Sequence, residues 1–159
     1  MASPVRPPQI AREGLEAWEA AQLAKFALRR AGDRGWGVFA QSDVKRGDKI
    51  GVYRGEVIDE AELVRRYGDG LAPYVLHFRG QTYVDAIREP RCLAGFANDP
   101  RGTGHAANVR IDSRGVMRAT RYIAAGKEVL LDYGEFYWEG LRPGPLLKRT
   151  PKSKASRTG

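Results

Sequence analysis

The chain has 159 residues, 42% apolar and 29% charged, which fits one globular domain with a real core and leaves little room for a second. Its one cysteine, Cys92, excludes an internal disulfide framework and a zinc site built from several thiolates. The net charge of +8 is unevenly placed, since residues 1–12 hold two cations and 142–159 hold six, while residues 13–141 hold 19 basic and 19 acidic side chains, so uniform attraction to phosphate is not the main business of the body.

Residues 1–10 contain three prolines and few core-formers, and read as a flexible arm. Residues 11–24 favour a helical extension with Leu15, Trp18 and Gln22 on one side. The main body runs over 25–141. Phe26 and Leu28 alternate with polar neighbours as in a half-buried strand, AGDRGWG is a turn, and Val38 to Ala40 resumes a strand. Ile50 to Ile58 reads as one strand with glycines at 51 and 55, and Asp59 with Glu62 caps a short helix to about Tyr67. Tyr74 to Phe78 and Thr82 to Val84 form a hairpin around Gly80, and residues 88–97 include a short helix. After the polar loop 98–107, short strands are expected at Val109 to Ile111, Val116 to Ala119 and Val129 to Leu131. Residues 142–159 are basic and proline-punctuated, and read as a disordered tail able to make weak, salt-sensitive nucleic-acid contacts. Many short strands with glycine turns and few helices give a mainly β fold of the α+β kind. No apolar run reaches bilayer length and no secretory signal opens the chain, so a soluble protein of a reducing compartment is expected, without membrane association.

Taken singly, the polar residues are uninformative. Gly35-Trp36-Gly37 lacks phosphate-loop spacing, and a tight turn explains it. His77 and His105 are not spaced as metal ligands, and no metal site is expected. Cys92 opens an apolar stretch and reads as a small core residue.

The order of the segments says more. RGWGVFA, KRGDKIGVYRGEVID, a Tyr-bearing strand, YVDA, GFANDP with the later Asn108, and GKEVLLDYGEFYW follow one another. This succession, over about residues 23–138, resembles the SET-domain protein-lysine methyltransferases. GKEVLLDYG resembles the family's G-E-E-[LI]-[TL]-x-[DS]-Y-G signature, and GFANDP stands where the family carries R-F-x-N-H-S-C-x-P-N. The departures are Gly95 for the arginine, Asp99-Pro100 for His-Ser and Ala106 for the cysteine; the cysteine-rich zinc cluster that follows the domain in many relatives is missing.

The resemblance implies several small twisted sheets with a threaded C-terminal segment, S-adenosylmethionine as cofactor, and methyl transfer to a lysine of a protein, with a histone tail as the default substrate. It implies a catalytic role for Tyr133, with Tyr74 beside it, and cofactor contacts from Gly35, Trp36, Gly37, Asn98, Asp99 and Trp138. Trp138 would cover the adenine in place of the zinc cluster. The lysine channel would be lined by Tyr74, Tyr83, Leu131 and Tyr137, and Asn108 would pin the threaded loop. Leu131 has no hydroxyl to hold a water that blocks further methylation, which points to more than one methyl. The setting would be nuclear and chromatin-bound in a eukaryotic or viral source, and cytoplasmic otherwise. Two other readings stay open: a catalytically silent SET-like interaction module, marked by Gly95, Asp99 and Pro100, and a small basic nucleic-acid-binding protein.

Overall fold

Alternating residues on either side of Gly32 and Gly35 fold into the first hairpin. The computed structural model describes residues 6–134 and Tyr137, and β1 (Phe26–Arg30) pairs antiparallel with β2 (Trp36–Ala40) from Phe26↔Ala40 to Arg30↔Trp36. The link is a 3-10 turn at Gly32–Arg34 closed by Gly35, whose φ of 80° only glycine adopts cheaply. The helix before it, α1, spans Ala17–Leu23 and not the expected 11–24. Gly14, at φ 71°, stops propagation towards the N-terminus. Its buried residue is Glu19, whose carboxylate accepts from the Glu16 N–H at 3.2 Å and pairs with Arg54.

The stretch expected as a single strand from Ile50 to Ile58 is two strands in two sheets, β3 (Lys49–Val52) and β4 (Glu56–Asp59). The break has a packing cause. A Cβ on Gly55 would collide with the backbone of Asp85 and Ala86, so the chain turns where only glycine fits. The helix α2 (Glu60–Tyr67) follows at once, with the Asp59 carboxylate accepting from the Glu62 N–H at 2.8 Å.

The second sheet has the order β4-β6-β5, with β6 (Thr82–Asp85) central and β5 at Val75–Arg79. The third has the order β3-β8-β7, with β7 at Val109–Ile111 and β8 at Val116–Ala119. Three small, mostly antiparallel sheets with two short helices make the mainly β, α+β fold. Residues 88–97 contain a 3-10 helix at Leu93–Phe96, buried against the core.

Residues 129–131 do not form a strand of their own. They thread between neighbours through isolated pairings: Leu130 runs parallel to Asn98, and Leu131 parallel to Val109. Asn108 pins them, donating to the Glu128 carbonyl at 2.9 Å and accepting from the Leu130 N–H at 2.8 Å. The core joins Val38, Ile50, Leu93, Phe96, Met117 and Val129, and Cys92 is buried with it. Among the described residues no helix is long and apolar enough to cross a membrane.

Candidate active site

Threading puts the two motif segments side by side. The Leu131 N–H donates to the Asn98 carbonyl at 2.8 Å, which draws residues 131–133 along the loop that holds Asn98 and Asp99. A cavity of about 540 Å³ opens there, walled by Gly35, Trp36, Tyr74, Asn98, Tyr133 and Tyr137 among others. Residues far apart in sequence thus meet at one concavity, in the usual size range of small-molecule sites, roughly 300–1,000 Å³.

Tyr133 is held at both ends. Its N–H donates to the Asp99 carboxylate at 2.8 Å, and its hydroxyl donates to the Ala97 carbonyl at 2.7 Å. The Tyr137 ring meets it edge-on, 4.7 Å between centroids. Burial, reinforced by neighbouring Tyr137 and Asp99, pushes its phenol well above the ordinary range, so it stays protonated.

Asn98 donates its amide to the Trp36 carbonyl at 3.1 Å and to Glu128 at 2.9 Å. Glu128 in turn takes both ends of the Arg34 guanidinium, at 3.1 and 2.7 Å. A Cβ on Gly37 would strike the Glu128 carboxylate and come within 2.9 Å of the Asn98 amide. The glycine of the first hairpin is therefore what lets Asn98 and Glu128 reach the back of the turn.

Tyr74 precedes β5, and its carbonyl accepts from the Ala86 N–H at 2.9 Å and the Tyr53 hydroxyl at 2.8 Å. The Arg91 guanidinium lies 4.2 Å from the centre of its ring. Arg91 also fixes the N-terminal segment: the Ala11 N–H donates to its carbonyl at 2.8 Å, Ile10 pairs beside it, and Arg6 and Pro8 reach the cavity wall.

Other expected site residues lie elsewhere. Asp99 is buried, and its carboxylate is engaged by the backbone N–H groups of Arg101 and Tyr133, so it supports the site from behind and is not on the cavity wall. Tyr83 faces away: strand alternation sends Val84 into the core and leaves Tyr83 beside the His77 ring, 4.9 Å between centroids. Leu131 packs on the core and meets the site through its backbone. Trp138 and the basic tail lie outside the described residues.

Sequence reasoning missed Glu128, Arg34, Arg91 and Tyr53. Glu128 was visible as the acid inside GKEVLLDYG and Arg34 as the cation beside Gly35; Tyr53 and Arg91 gave no signal, because their roles depend on where Tyr74 is placed. Gly95, where the family motif has an arginine, lines the cavity. Among the described residues no group of His, Cys, Asp and Glu is arranged to hold a metal.

Comparison with known proteins fits this geometry. The SET domain family model matches residues 35–134. An N-lysine methyltransferase KMT5A from Xenopus tropicalis is 30% identical over 126 residues, covering 72% of this chain and 38% of the relative. A histone-lysine N-methyltransferase EZ2 from Zea mays is 30% identical over 118 residues, 70% of this chain and 13% of the relative. The chain thus spans well under half the length of these relatives. A structure of the Chaetomium thermophilum polycomb repressive complex 2 with H3K27me3 and H3K27M superposes with a TM-score of 0.57 at 26% identity, over 69% of this chain and 14% of that one.

Proposed function

The chain belongs to the SET-domain family, and from that premise we propose that it transfers a methyl group from S-adenosylmethionine to the ε-amine of a lysine in a protein. The observation that carries the reading is the meeting of Trp36, Asn98 and Tyr133 at one cavity, with Tyr133 fixed at both its N–H and its hydroxyl.

The lining fits the cofactor. Trp36 offers a flat apolar surface, Gly35 bare backbone, and Arg34, held from behind by Glu128, a cation at the wall for the carboxylate of an amino-acid end. Asn98 spends its amide protons on Trp36 and Glu128 and keeps its side-chain oxygen as an acceptor. S-adenosylmethionine, when bound, supplies a methyl group on a positively charged sulfur. The chain's part is to bring a neutral amine in line with it. A lysine amine ordinarily titrates near ~10.4, and the aromatic wall of Tyr74, Phe96, Tyr133 and Tyr137 disfavours its charged form. The neutral, anchored Tyr133 hydroxyl orients the nucleophile, which is a positioning contribution to rate.

Asp99 bears on the silent-module reading. It stands where the family motif has histidine, yet its carboxylate ties down the Tyr133 N–H. The departing residue thus still supports the tyrosine, and this favours an active enzyme. The names of the relatives support a histone tail as substrate and chromatin as the setting. The test is a calorimetric titration with S-adenosylmethionine. Wild type is expected to bind, and Asn98→Ala to bind about ten-fold or more weakly, since a buried hydrogen-bonding amide is worth about 1–3 kcal/mol. Equal affinities, with both proteins folded by circular dichroism, would remove Asn98 from the site; no binding by wild type would remove the reading.

A further inference from the structure

The neutral body conceals a separation of charge. Residues 45–52 and 109–119, which build the β3-β8-β7 sheet and the turn beside it, carry six basic and two acidic side chains, while the rest of 13–141 carries 13 basic and 17 acidic. The α2 and β4-β6-β5 lobe, residues 56–89, holds seven acids against four bases. One sheet is therefore cationic and another lobe anionic.

The strand register sharpens this. Lys49 pairs with Arg118, and Arg118 pairs with Arg110, so three cations stand in one rung across three strands. The next rung joins Gly51, Met117 and Ile111, which face the core, so the cationic rung faces outward. Like charges set directly opposite each other destabilise a sheet. Asp112 compensates Arg118 alone, at 3.1 Å. Arg110 is exposed and has no ion-pair partner among the described residues. The Lys49 ammonium lies 4.3 Å from the centre of the Trp18 ring, which holds it at the sheet edge. Lys45 and Arg46 extend the surface from the adjoining turn, which is fixed by the Gly47 N–H donating to the Ala119 carbonyl at 2.8 Å.

We propose that the outward face of the β3-β8-β7 sheet docks the phosphate backbone of double-stranded DNA. Charge complementarity selects this occupant. A duplex carries one negative charge per about 1.7 Å of axis, so a rung spanning two strand spacings, roughly 10 Å, meets several phosphates at once. A protein partner would need buried apolar anchors at the centre of the contact, and the rung has none. The surface belongs to the folded body and shares no residue with the cavity that holds Tyr133.

The experiment is fluorescence anisotropy of the full chain with a labelled DNA duplex across a salt series. Lys49→Glu combined with Arg110→Glu is expected to weaken binding about ten-fold or more and to lower the slope of log affinity against log salt by about two, one for each lost phosphate contact. Arg12→Glu with Lys25→Glu makes the same change in net charge away from the sheet, and is expected to alter the slope by less than one. Lys49→Gln with Arg110→Gln, which adds no repulsion, should show the slope change with the melting temperature kept. The proposal is overturned if the sheet variants bind as wild type does, if the distant pair loses as much, or if wild type binds polyglutamate and not the duplex.

Discussion

Two bonds fix Tyr133, and they make separable predictions. Tyr133→Phe removes the donor to Ala97 and leaves the N–H bond to Asp99 in place. Turnover in a methyl-incorporation assay is expected to fall by roughly 10²-fold with cofactor affinity nearly unchanged, the pattern of a group that acts mainly in the transition state. A variant as fast as wild type would make Tyr133 a packing residue. Glu128 acts differently. It holds Arg34 with both oxygens and the Asn98 amide with one. Glu128→Gln is expected to cost about 1.5–3 kcal/mol of stability, the range for hydrogen bonds to charged groups, and to weaken S-adenosylmethionine binding, because Asn98 loses its charged acceptor. Chemical denaturation and calorimetry on one preparation check both parts.

At the scale of the element, α2 is fastened by charge and not by burial. Its Glu62 takes Arg65 at 2.7 Å and Arg66 at 2.6 Å, and those bonds hold its carboxyl down at about 2 from an ordinary 4.5. Arg66 goes on to the wholly buried Asp85 carboxylate at 3.0 Å. A carboxyl with a lowered value in the folded state adds stability above its unfolded value and gives it up as pH falls towards the folded one. The protection of the α2 amides, taken as the exchange rate relative to the intrinsic rate at each pH, should therefore hold above about pH 4.5 and fall between there and pH 2, while Glu62→Gln should show the lower protection throughout. The first hairpin makes a second prediction. Gly37→Ala puts a methyl against Glu128 and Asn98, so cofactor affinity is expected to drop several-fold with the hairpin still formed; unchanged affinity would mean that Glu128 swings away at no cost. The same glycines mark the limit of sequence reading. Alternation and turn residues made β1, β2, α2 and the β5-β6 hairpin legible. Gly55 was read as a glycine inside a strand, because the Asp85 backbone that forces the break comes from a different part of the chain.

At the scale of the molecule, the legible part of the site was what a linear motif carries, namely Gly35-Trp36, Asn98 and Tyr133, and the illegible part was what depends on approach from elsewhere. Asp99 was expected at the cofactor and sits behind Tyr133. Tyr83 was expected in the channel and faces His77, since one step along a strand reverses the side. Arg6 and Pro8, in an arm expected to be loose, reach the cavity wall. The N-terminal helix is joined to the body through Glu19, nearly inaccessible, and the half-exposed Arg54. Glu19→Gln is expected to lower stability by about 1 kcal/mol, a discounted figure because Arg54 keeps its water, and a shift of a few degrees in melting temperature would register it.

The pinned segment 128–131 also sets an order of events during synthesis. Asn108, the Asn98 carbonyl and the Arg34 guanidinium all await partners that emerge from the ribosome some twenty or more residues later. A nascent chain that has delivered the β1-β2, β5-β6 and β7-β8 hairpins and the 3-10 helix at Leu93–Phe96 still lacks Leu130, Leu131 and Tyr133. Under the proposed function, activity switches on only once residues 128–133 are inserted. A chain ending just before Glu128 contains every named strand and helix and lacks the threaded segment, so translation arrest at that point, followed by release, is expected to give a receptor that a short synthetic peptide spanning residues 128–134 completes.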